Sequence, residues 1–236
     1  MEVCEVWRLP ALPFEPAQAL QRRLSALRAA APPDRLLLLS HPPTYTLGSS
    51  GSREHLLLTP DELARRGIAL ATADRGGDIT YHGPGQLVGY PILGLAGSGD
   101  LRADVLGYVR GLEQAIIQAL AAYGVAGRTI PGCAGVWVDR PAGPAKICAI
   151  GVRVTARLVT RHGFALNLNT NLRDYEGIIP CGIRDKGVTS LAALLGAPVD
   201  EDEAARRVTA AFGAVFNRRM VVGPASAVPP HGLPPT

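Results

Sequence analysis

A cysteine between a proline and a glycine is the strongest candidate nucleophile in the chain. Pro180 and Gly182 flank Cys181, and both favour irregular turns in which a side chain can stay accessible. A thiol at its ordinary pKa of about 8.5 is only a few per cent thiolate at neutral pH, so a catalytic cysteine needs a base or a cation beside it. A free cysteine is more often a small buried hydrophobe, so a packing role stays open. The candidate partners of the thiol are Lys146, His82 and His162.

Lysine is rare in this chain, because arginine supplies almost all of its positive charge. Of 24 cationic residues, only Lys146 and Lys186 are lysines. A guanidinium group stays protonated in proteins, whereas an amine can release and take back a proton. Lys146 opens the strand-like run Lys146-Ile-Cys-Ala-Ile-Gly-Val152, so it is a candidate proton carrier for Cys181. Its distance from Cys181 along the chain does not establish a contact, and a solvated strand end is the alternative.

Two further segments have the composition of a binding site. The segment Arg75-Gly-Gly-Asp-Ile-Thr-Tyr-His-Gly-Pro-Gly-Gln86 combines turn residues with polar side chains, and it matches neither of the common glycine-rich phosphate motifs. It predicts a ligand-binding loop, with a plain hairpin loop as the alternative. The run His162-Gly-Phe-Ala-Leu-Asn-Leu-Asn169 alternates as a strand and places small residues on one face. Those small residues could make room for a ligand or merely allow close packing.

The remaining cysteines give no metal site and no disulfide framework. Cys4, Cys133, Cys148 and Cys181 show no C-x-x-C spacing, so we interpret them as free thiols and expect no metal and no cofactor. Cys148 lies two residues from Lys146, and on a regular strand their side chains would share one face. We assign Cys148 to packing, although it is the one rival to Cys181 as nucleophile.

Length and composition bound the domain organisation. The 236 residues are 47% hydrophobic and 19% charged, and this length suits one large domain or two small ones. We predict a single α+β domain over residues 1–220 with a Pro-rich, disordered tail over 221–236. The net charge of +4 permits an acidic partner, but basic residues occur as isolated pairs, so no nucleic-acid site is expected. The apolar runs are too short for a membrane span, and the N-terminus lacks a signal-peptide pattern. We therefore expect a soluble cytoplasmic protein.

Periodicity and capping signals place the main elements. Helices are predicted over 15–30, over 60–66 after a Thr59 capping box, over 101–123, and from Asp200 to about Phe216. Strands are predicted over 35–40, 85–93, 135–139, 146–155 and 162–169. Strands clustered between helices favour a mixed sheet over regular βαβ alternation.

Taken together, these segments resemble the lipoyl(octanoyl) transferases, the enzymes that begin protein lipoylation. The resemblance rests on five segments in the family's order and spacing, within residues 35 to 217: 75–87, Lys146–Val152, His162–Asn169, Pro180–Ile183 and Gly187-Val-Thr-Ser-Leu191. It implies a mixed β-sheet flanked by helices, the fold shared with biotin and lipoate protein ligases.

The resemblance also implies an activity and its partners. An octanoyl group would pass from acyl carrier protein to Cys181, with Lys146 as the second member of a Cys/Lys dyad. It would then pass to a lysine ε-amine on the lipoyl domains of 2-oxoacid dehydrogenase complexes or on the glycine cleavage H protein. Exchange of one thioester for another is nearly balanced in energy, so no ATP is expected.

The resemblance further implies which residues line the acyl pocket. They come from three segments, namely Arg75, Gly76, Gly77, Asp78, Ile79, Thr80, Tyr81 and His82, then Ala149, Ile150 and Gly151, then Gly163, Phe164 and Ala165.

Two other functions stay open at this point. An ATP-dependent lipoate or biotin ligase would keep the fold without needing a cysteine nucleophile, but this chain lacks the lysine-rich nucleotide loop usual in such enzymes. A non-catalytic protein that binds acylated carrier domains would tolerate substitution of either Cys181 or Lys146.

Overall fold

The computed structural model describes residues 1–95, 105–179 and 186–223. In these residues the chain forms twelve strands, five α-helices and two short 3₁₀ segments, Arg53–His55 and Leu172–Gly177. The α-helices are α1 (Phe14–Ala30), α2 (Pro60–Arg66), α3 (Val105–Ala121), α4 (Leu191–Leu195) and α5 (Glu201–Val215). The strands are β1 (Glu2–Arg8), β2 (Asp34–Leu39), β3 (Thr44–Leu47), β4 (Ala69–Thr72), β5 (Ile79–His82), β6 (Gln86–Ile92), β7 (Arg128–Ile130), β8 (Cys133–Arg140), β9 (Gly143–Val154), β10 (Thr160–Asn167), β11 (Gly187–Val188) and β12 (Arg218–Val222).

A mixed sheet of nine strands forms the centre of the fold. Its strands follow the order β12-β1-β2-β6-β10-β9-β8-β7, and β11 pairs with β9 beside this path. The β1 pairings and the β11–β9 pairing are parallel, and the other neighbours are antiparallel. A second sheet, β4-β3-β5, carries residues Ile79–His82 of the glycine-rich segment. The predicted mixed sheet flanked by helices is confirmed.

Helices cover both faces of the large sheet. Helices α3 and α5 pack on one face, where Leu112, Ile116 and Phe212 belong to the largest apolar cluster. Helix α1 packs on the other face through Leu20 and Leu24. Burial of a leucine or phenylalanine side chain contributes about 1.5–3 kcal/mol, so these two layers fix the sheet between the helices.

Local capping signals predict the helix ends well. Thr59 and Glu62 form the expected capping box at α2, which ends at Gly67 in the left-handed conformation (φ 64°). Asp200 accepts hydrogen bonds from the Asp202 and Glu203 N–H groups at the start of α5. The predicted helix over 101–123 is found as Val105–Ala121, and residues 101–104 lie outside the described residues.

The five predicted strands are present, with ends shifted by up to three residues. The sequence analysis missed the other seven strands, among them β1 and β12, which pair with each other in parallel at the edge of the large sheet. Val221 and Val222 belong to β12, so the ordered chain extends past the predicted domain boundary at residue 220. The rest of the predicted tail, residues 224–236, lies outside the described residues. None of the helices in the described residues combines the length and hydropathy needed to cross a bilayer.

Candidate active site

A cavity lies beside the paired strands β9 and β10, where the glycine-rich segment passes over them. Thirteen of the fourteen residues expected to line an acyl pocket contribute to its wall, together with Lys146. These thirteen are Arg75, Gly76, Gly77, Asp78, Ile79, Thr80, His82, Ala149, Ile150, Gly151, Gly163, Phe164 and Ala165. The structure therefore brings three segments that are distant in sequence to one place.

Register between β9 and β10 supplies one wall of the cavity. Ala149 pairs with Ala165 and Gly151 pairs with Gly163, so small residues face each other across the two strands. At Gly163 the small residue is also needed for packing, since an added Cβ would lie 2.3 Å from the Gly89 carbonyl oxygen. The small residues of β10 therefore both leave space beside the strand and allow close packing, which are the two interpretations that the sequence left open.

Arg75 holds the glycine-rich segment in shape. Its buried guanidinium donates hydrogen bonds to Thr46 O and Oγ1, both at 2.8 Å, and to Asp78 O at 2.9 Å. The Gly76 N–H donates to Val152 O at 2.9 Å and fastens the segment to β9. Gly77 has φ 85°, a conformation that glycine adopts without the strain of a side chain.

Two of the polar residues expected to line the acyl pocket, Asp78 and Tyr81, use their side chains for hydrogen bonds within the protein. The Asp78 carboxylate accepts hydrogen bonds from Ser52 N and pairs with His55 Nδ1. Tyr81 does not line the cavity: its ring packs edge-on against Tyr45 and Tyr175, and its hydroxyl donates to Asp174 Oδ2 at 2.8 Å. Its neighbours on β5, Thr80 and His82, line the cavity instead.

Aromatic rings close one end of the cavity, and the sequence analysis missed most of them as pocket residues. Phe14, Tyr90 and His162 line the cavity in addition to the expected His82. The Phe14 ring stacks on His82 at 6.0 Å and on His162 at 6.4 Å between centroids. The sequence offered no local signal for Phe14, which begins α1 far from the glycine-rich segment.

The histidines of this end are buried and neutral at neutral pH. Desolvation lowers the pKa of His162 to about 4, against the raising effect of its hydrogen bond to Asp74 Oδ1 at 2.7 Å. Burial likewise lowers the pKa of His82 well below its ordinary range. Neutral imidazole rings beside Phe14 give a wall without formal charge, which suits an apolar ligand.

His162 owes its position to an unusual backbone conformation. Its φ is 56°, which is uncommon for a residue with a side chain, and its N–H donates to Gln21 Oε1 at 2.7 Å rather than into the sheet. The predicted alternation over His162–Asn169 is therefore interrupted at its first residue. This change of direction lets His162, Gly163 and Phe164 all reach the cavity wall.

Lys146 lies in the cavity wall and is 8% exposed. Its Nζ donates a hydrogen bond to Ala134 O at 3.1 Å and lies 4.7 Å from the centre of the Trp137 ring. A buried amine held by a backbone carbonyl and an aromatic face is fixed in position, which a solvated strand end would not be. The alternative of a solvated lysine is therefore wrong.

The expectation that Lys146 and Cys148 share one face is also wrong. Val136 pairs with Cys148 and Trp137 pairs with Lys146, so Ile147 is an extra residue, a β-bulge, in β9. Cys148 is fully buried in the apolar cluster beneath α3, where burial raises the pKa of its thiol. A thiol in this environment stays protonated, so Cys148 packs as a small hydrophobe.

Cys181 lies outside the described residues, but the chain is anchored on both sides of it. The Ile179 N–H donates to His55 O at 2.8 Å. On the other side Val188 pairs with Lys146 in the β11–β9 ladder, and the Thr189 N–H donates to Lys146 O at 2.9 Å. The strand that carries Lys146 is thus bonded directly to the chain that follows Cys181.

Among the residues that the structure describes, no group of three histidine, cysteine or carboxylate side chains is arranged so that it could hold a metal ion.

Comparison with known proteins decides between the families that share this fold. A model of the lipoyl protein ligase A/B catalytic domain matches residues 13–213. An octanoyltransferase of Chloroflexus aggregans is 48% identical over 222 residues, which cover 94% of this chain and 98% of that protein. An octanoyltransferase of Mycolicibacterium smegmatis is 47% identical over 223 residues, 93% and 92% of the two chains.

The chain belongs to the lipoyl(octanoyl) transferase family.

Solved structures place this octanoyltransferase fold beside two kinds of ligase. The bipartite lipoate protein ligase of Thermoplasma acidophilum superimposes with a TM-score of 0.72 at 17% identity, over 94% of this chain and 87% of that one. The biotin protein ligase of Aquifex aeolicus gives a TM-score of 0.51 at 12% identity, over 92% and 69%. Membership in the family makes the chain a transferase that acts on octanoyl groups in protein lipoylation.

Proposed function

We propose that this transferase takes an octanoyl group from acyl carrier protein, holds it as a thioester on Cys181, and passes it to a lysine ε-amine of a lipoyl domain. Lys146 carries the protons in both transfers. The observation that supports this most is the position of the Lys146 amine, which is buried in the wall of a cavity lined by small and aromatic residues. Family membership supports the octanoyl group as the cargo.

The first transfer exchanges one thioester for another. Neutral Lys146 takes the Cys181 proton, and the thiolate sulfur attacks the octanoyl carbonyl carbon of the carrier thioester. The new carbon–sulfur bond to Cys181 forms as the bond to the pantetheine sulfur breaks, and Lys146 returns the proton to that sulfur. No bond of higher energy is made, so the step needs no ATP.

The second transfer makes an amide. The acceptor lysine amine attacks the thioester carbonyl carbon, and Lys146 takes the proton that the attacking nitrogen releases. A carbon–nitrogen bond forms, the bond to Cys181 breaks, and Lys146 protonates the departing sulfur. An arginine could not act in this way because its guanidinium does not release a proton.

The anchoring of the chain around Cys181 supports its pairing with Lys146. Cys181 precedes Val188, which pairs with Lys146, by seven positions, and a residue spans at most about 3.3–3.6 Å. The length of the chain therefore limits Cys181 to within about 25 Å of Val188. On the other side, Ile179 lies two positions before Cys181, and its N–H donates a hydrogen bond to His55 O.

The cavity supports an acyl chain as the bound group. Each methylene moved from water into an apolar site contributes about 0.8 kcal/mol, so an eight-carbon chain gains several kcal/mol on entering. Along β9, the register places His162 opposite Val152, six residues from Lys146, which is about 20 Å of strand. The aromatic end and the amine thus lie at opposite ends of the cavity, as a chain with one reactive end requires.

An ATP-free transfer assay tests the proposal. Purified chain, octanoyl-acyl carrier protein and a lipoyl domain are mixed without nucleotide, and the lipoyl domain is weighed by mass spectrometry. We expect octanoylation by the wild type, and losses of at least a thousandfold for Cys181→Ser and Lys146→Arg, on the order of the loss when a nucleophile or its base is removed. Lys186→Arg is the matched control, because it makes the same substitution at the other lysine and is expected to stay within about threefold of the wild type. Transfer that requires ATP, or that survives both substitutions, would reject the proposal.

A further inference from the structure

A buried carboxylate lies behind the proposed proton carrier. Glu113, on the face of α3 toward the sheet, is 7% exposed, and its Oε1 accepts a hydrogen bond from the Gly135 N–H at 2.9 Å. Its helical neighbours Leu112 and Ile116 belong to the apolar core. Burial raises the pKa of Glu113, while the Gly135 N–H, Arg110 and Lys146 act in the opposite direction. A buried carboxylate is costly unless it is paired, so its position calls for an explanation.

The Gly135 N–H and the carbonyl that binds Lys146 belong to the same peptide unit. Lys146 Nζ donates to Ala134 O, and the next atom group of that peptide, the Gly135 N–H, donates to Glu113. One planar amide thus connects the carboxylate to the amine. Donation of an amide N–H to a carboxylate shifts electron density toward the carbonyl oxygen, and such linked hydrogen bonds strengthen one another by about 10–30%.

Gly135 keeps this peptide in the bridging orientation. Its φ is 120°, a conformation that residues with side chains rarely adopt. An added Cβ would lie 2.5 Å from Cys148 O, and 3.5 Å from Cδ and Cε of Lys146. The bulge at Ile147 and the positive φ at Gly135, inside β8, therefore place the amine and the amide together.

We propose that Glu113 is a positioning residue that acts on Lys146 through the Ala134–Gly135 peptide and stabilises the protonated form of its amine. This inference rests on the proposed role of Lys146. Lys146 begins both transfers as the neutral amine. A negative charge that favours the ammonium makes this amine a stronger base, and it also raises the pH that each transfer needs to obtain the neutral form.

Two further groups in the described residues act on Glu113. Arg110 lies one turn before Glu113 on α3, and the thiol of Cys148 interacts electrostatically with both Glu113 and Lys146. Cys148 is protonated and uncharged, because burial raises its pKa. Among the described residues, Arg110 is therefore the remaining charge that acts on Glu113 beside Lys146.

The test measures the two half-reactions separately in Glu113→Gln, which keeps the shape and an acceptor oxygen but removes the charge. At high pH, where the rate no longer changes with pH, thioester formation is expected to slow about tenfold. The pH at which each half-reaction reaches half its maximal rate is expected to fall. A merely structural defect would slow both half-reactions alike without moving that pH. Glu203→Gln, the same change on a surface pair of α5, is the matched control and is expected to match the wild type.

Two outcomes overturn the inference. Equal slowing of both half-reactions with an unmoved pH dependence is one, and wild-type rates in Glu113→Gln are the other. If Glu113→Gln does not fold, Glu113→Asp carries the test, since it retains the charge and withdraws it by one methylene. The pH at half-maximal rate must then fall in both half-reactions, or the inference fails. If the wild type forms no thioester, both the proposed function and this inference are rejected. If the wild type forms the thioester and Glu113→Gln behaves like the wild type, only the inference is rejected.

Discussion

Lys146 and Cys148 lie two residues apart on β9, yet Lys146 faces the cavity and Cys148 packs in the core beneath α3. The extra residue Ile147 causes this, because Val136 pairs with Cys148 and Trp137 pairs with Lys146. Beyond the bulge the alternation resumes, and Ala149 and Gly151 also face the cavity. One inserted residue thus turns the amine toward the site and keeps the nearest thiol out of it.

Cys148→Ala tests this division of roles. We expect octanoyl transfer within about twofold of the wild type, because the thiol is absent from the cavity wall. The free energy of unfolding is expected to fall by about 1 kcal/mol, since a small buried group is lost from the core. Urea unfolding and the transfer assay provide the two numbers. Loss of transfer at unchanged stability would show that Cys148 takes part in the chemistry.

Phe14 is expected to set the length of acyl chain that the cavity accepts. Its ring stacks on His82 and His162 at the aromatic end, so Phe14→Ala opens that end. We expect the ratio of kcat/KM for dodecanoyl to octanoyl carrier protein to rise at least tenfold, as each added methylene then finds apolar surface worth about 0.8 kcal/mol. Competition between the two carriers measures the ratio.

Leu20→Ala is the control for Phe14→Ala, because it removes a buried side chain from the same helix on the sheet-packing face. Both variants are expected to lose about 3 kcal/mol of stability. A chain-length preference that moves equally in both variants would show that general loosening, not the aromatic end, decides it.

The buried histidines make stability depend on pH. Burial lowers the pKa of His41 and of His162 to about 4, against 6.5 in the unfolded chain. Between these values the unfolded chain binds protons that the folded chain does not, so stability is full above pH 6.5 and falls as the pH drops toward 4. Each histidine contributes about 3 kcal/mol to that fall.

Urea unfolding at pH 7 and at pH 4.5 measures this effect. His41→Gln is expected to lessen the fall, because it removes one of the two buried imidazoles. A free energy of unfolding that is the same at both pH values would contradict the assignment of neutral, buried imidazoles.

A buried ion pair ties the last strand to the sheet. Arg218 Nε lies 2.7 Å from Asp34 Oδ2, and both side chains are almost fully buried. Arg218→Met leaves the Asp34 charge without this partner and is expected to cost about 3 kcal/mol of stability while octanoyl transfer is retained. Arg219→Met, at the exposed neighbour, is the control. If thermal unfolding finds the two variants equally stable, the pair does not hold β12.

The elements that the sequence predicted are those with local signals. The capping residues Thr59 and Asp200 mark α2 and α5 because capping involves residues three positions apart. The missed strands β1 and β12 pair with each other in parallel although they are far apart in the sequence. No local pattern in either strand indicates the other as its partner.

The candidate site, too, was predictable only where local sequence signals mark its residues. The glycine-rich segment and the small residues of β9 and β10 are visible in the sequence, and the structure brings them together. The sequence analysis missed three features: the bulge at Ile147, the φ of 56° at His162, and the position of Phe14 of α1 in the cavity wall. Each depends on packing between distant parts of the chain, which spacing and periodicity do not contain.

The most direct measurement is the intact mass of the chain after brief exposure to octanoyl-acyl carrier protein alone, followed by mapping of the modified peptide. The account predicts a gain of one octanoyl group, removable by hydroxylamine, on the peptide that contains Cys181, and no gain in Cys181→Ser. A label on Cys148 or on any lysine, or no label until ATP is added, would contradict it.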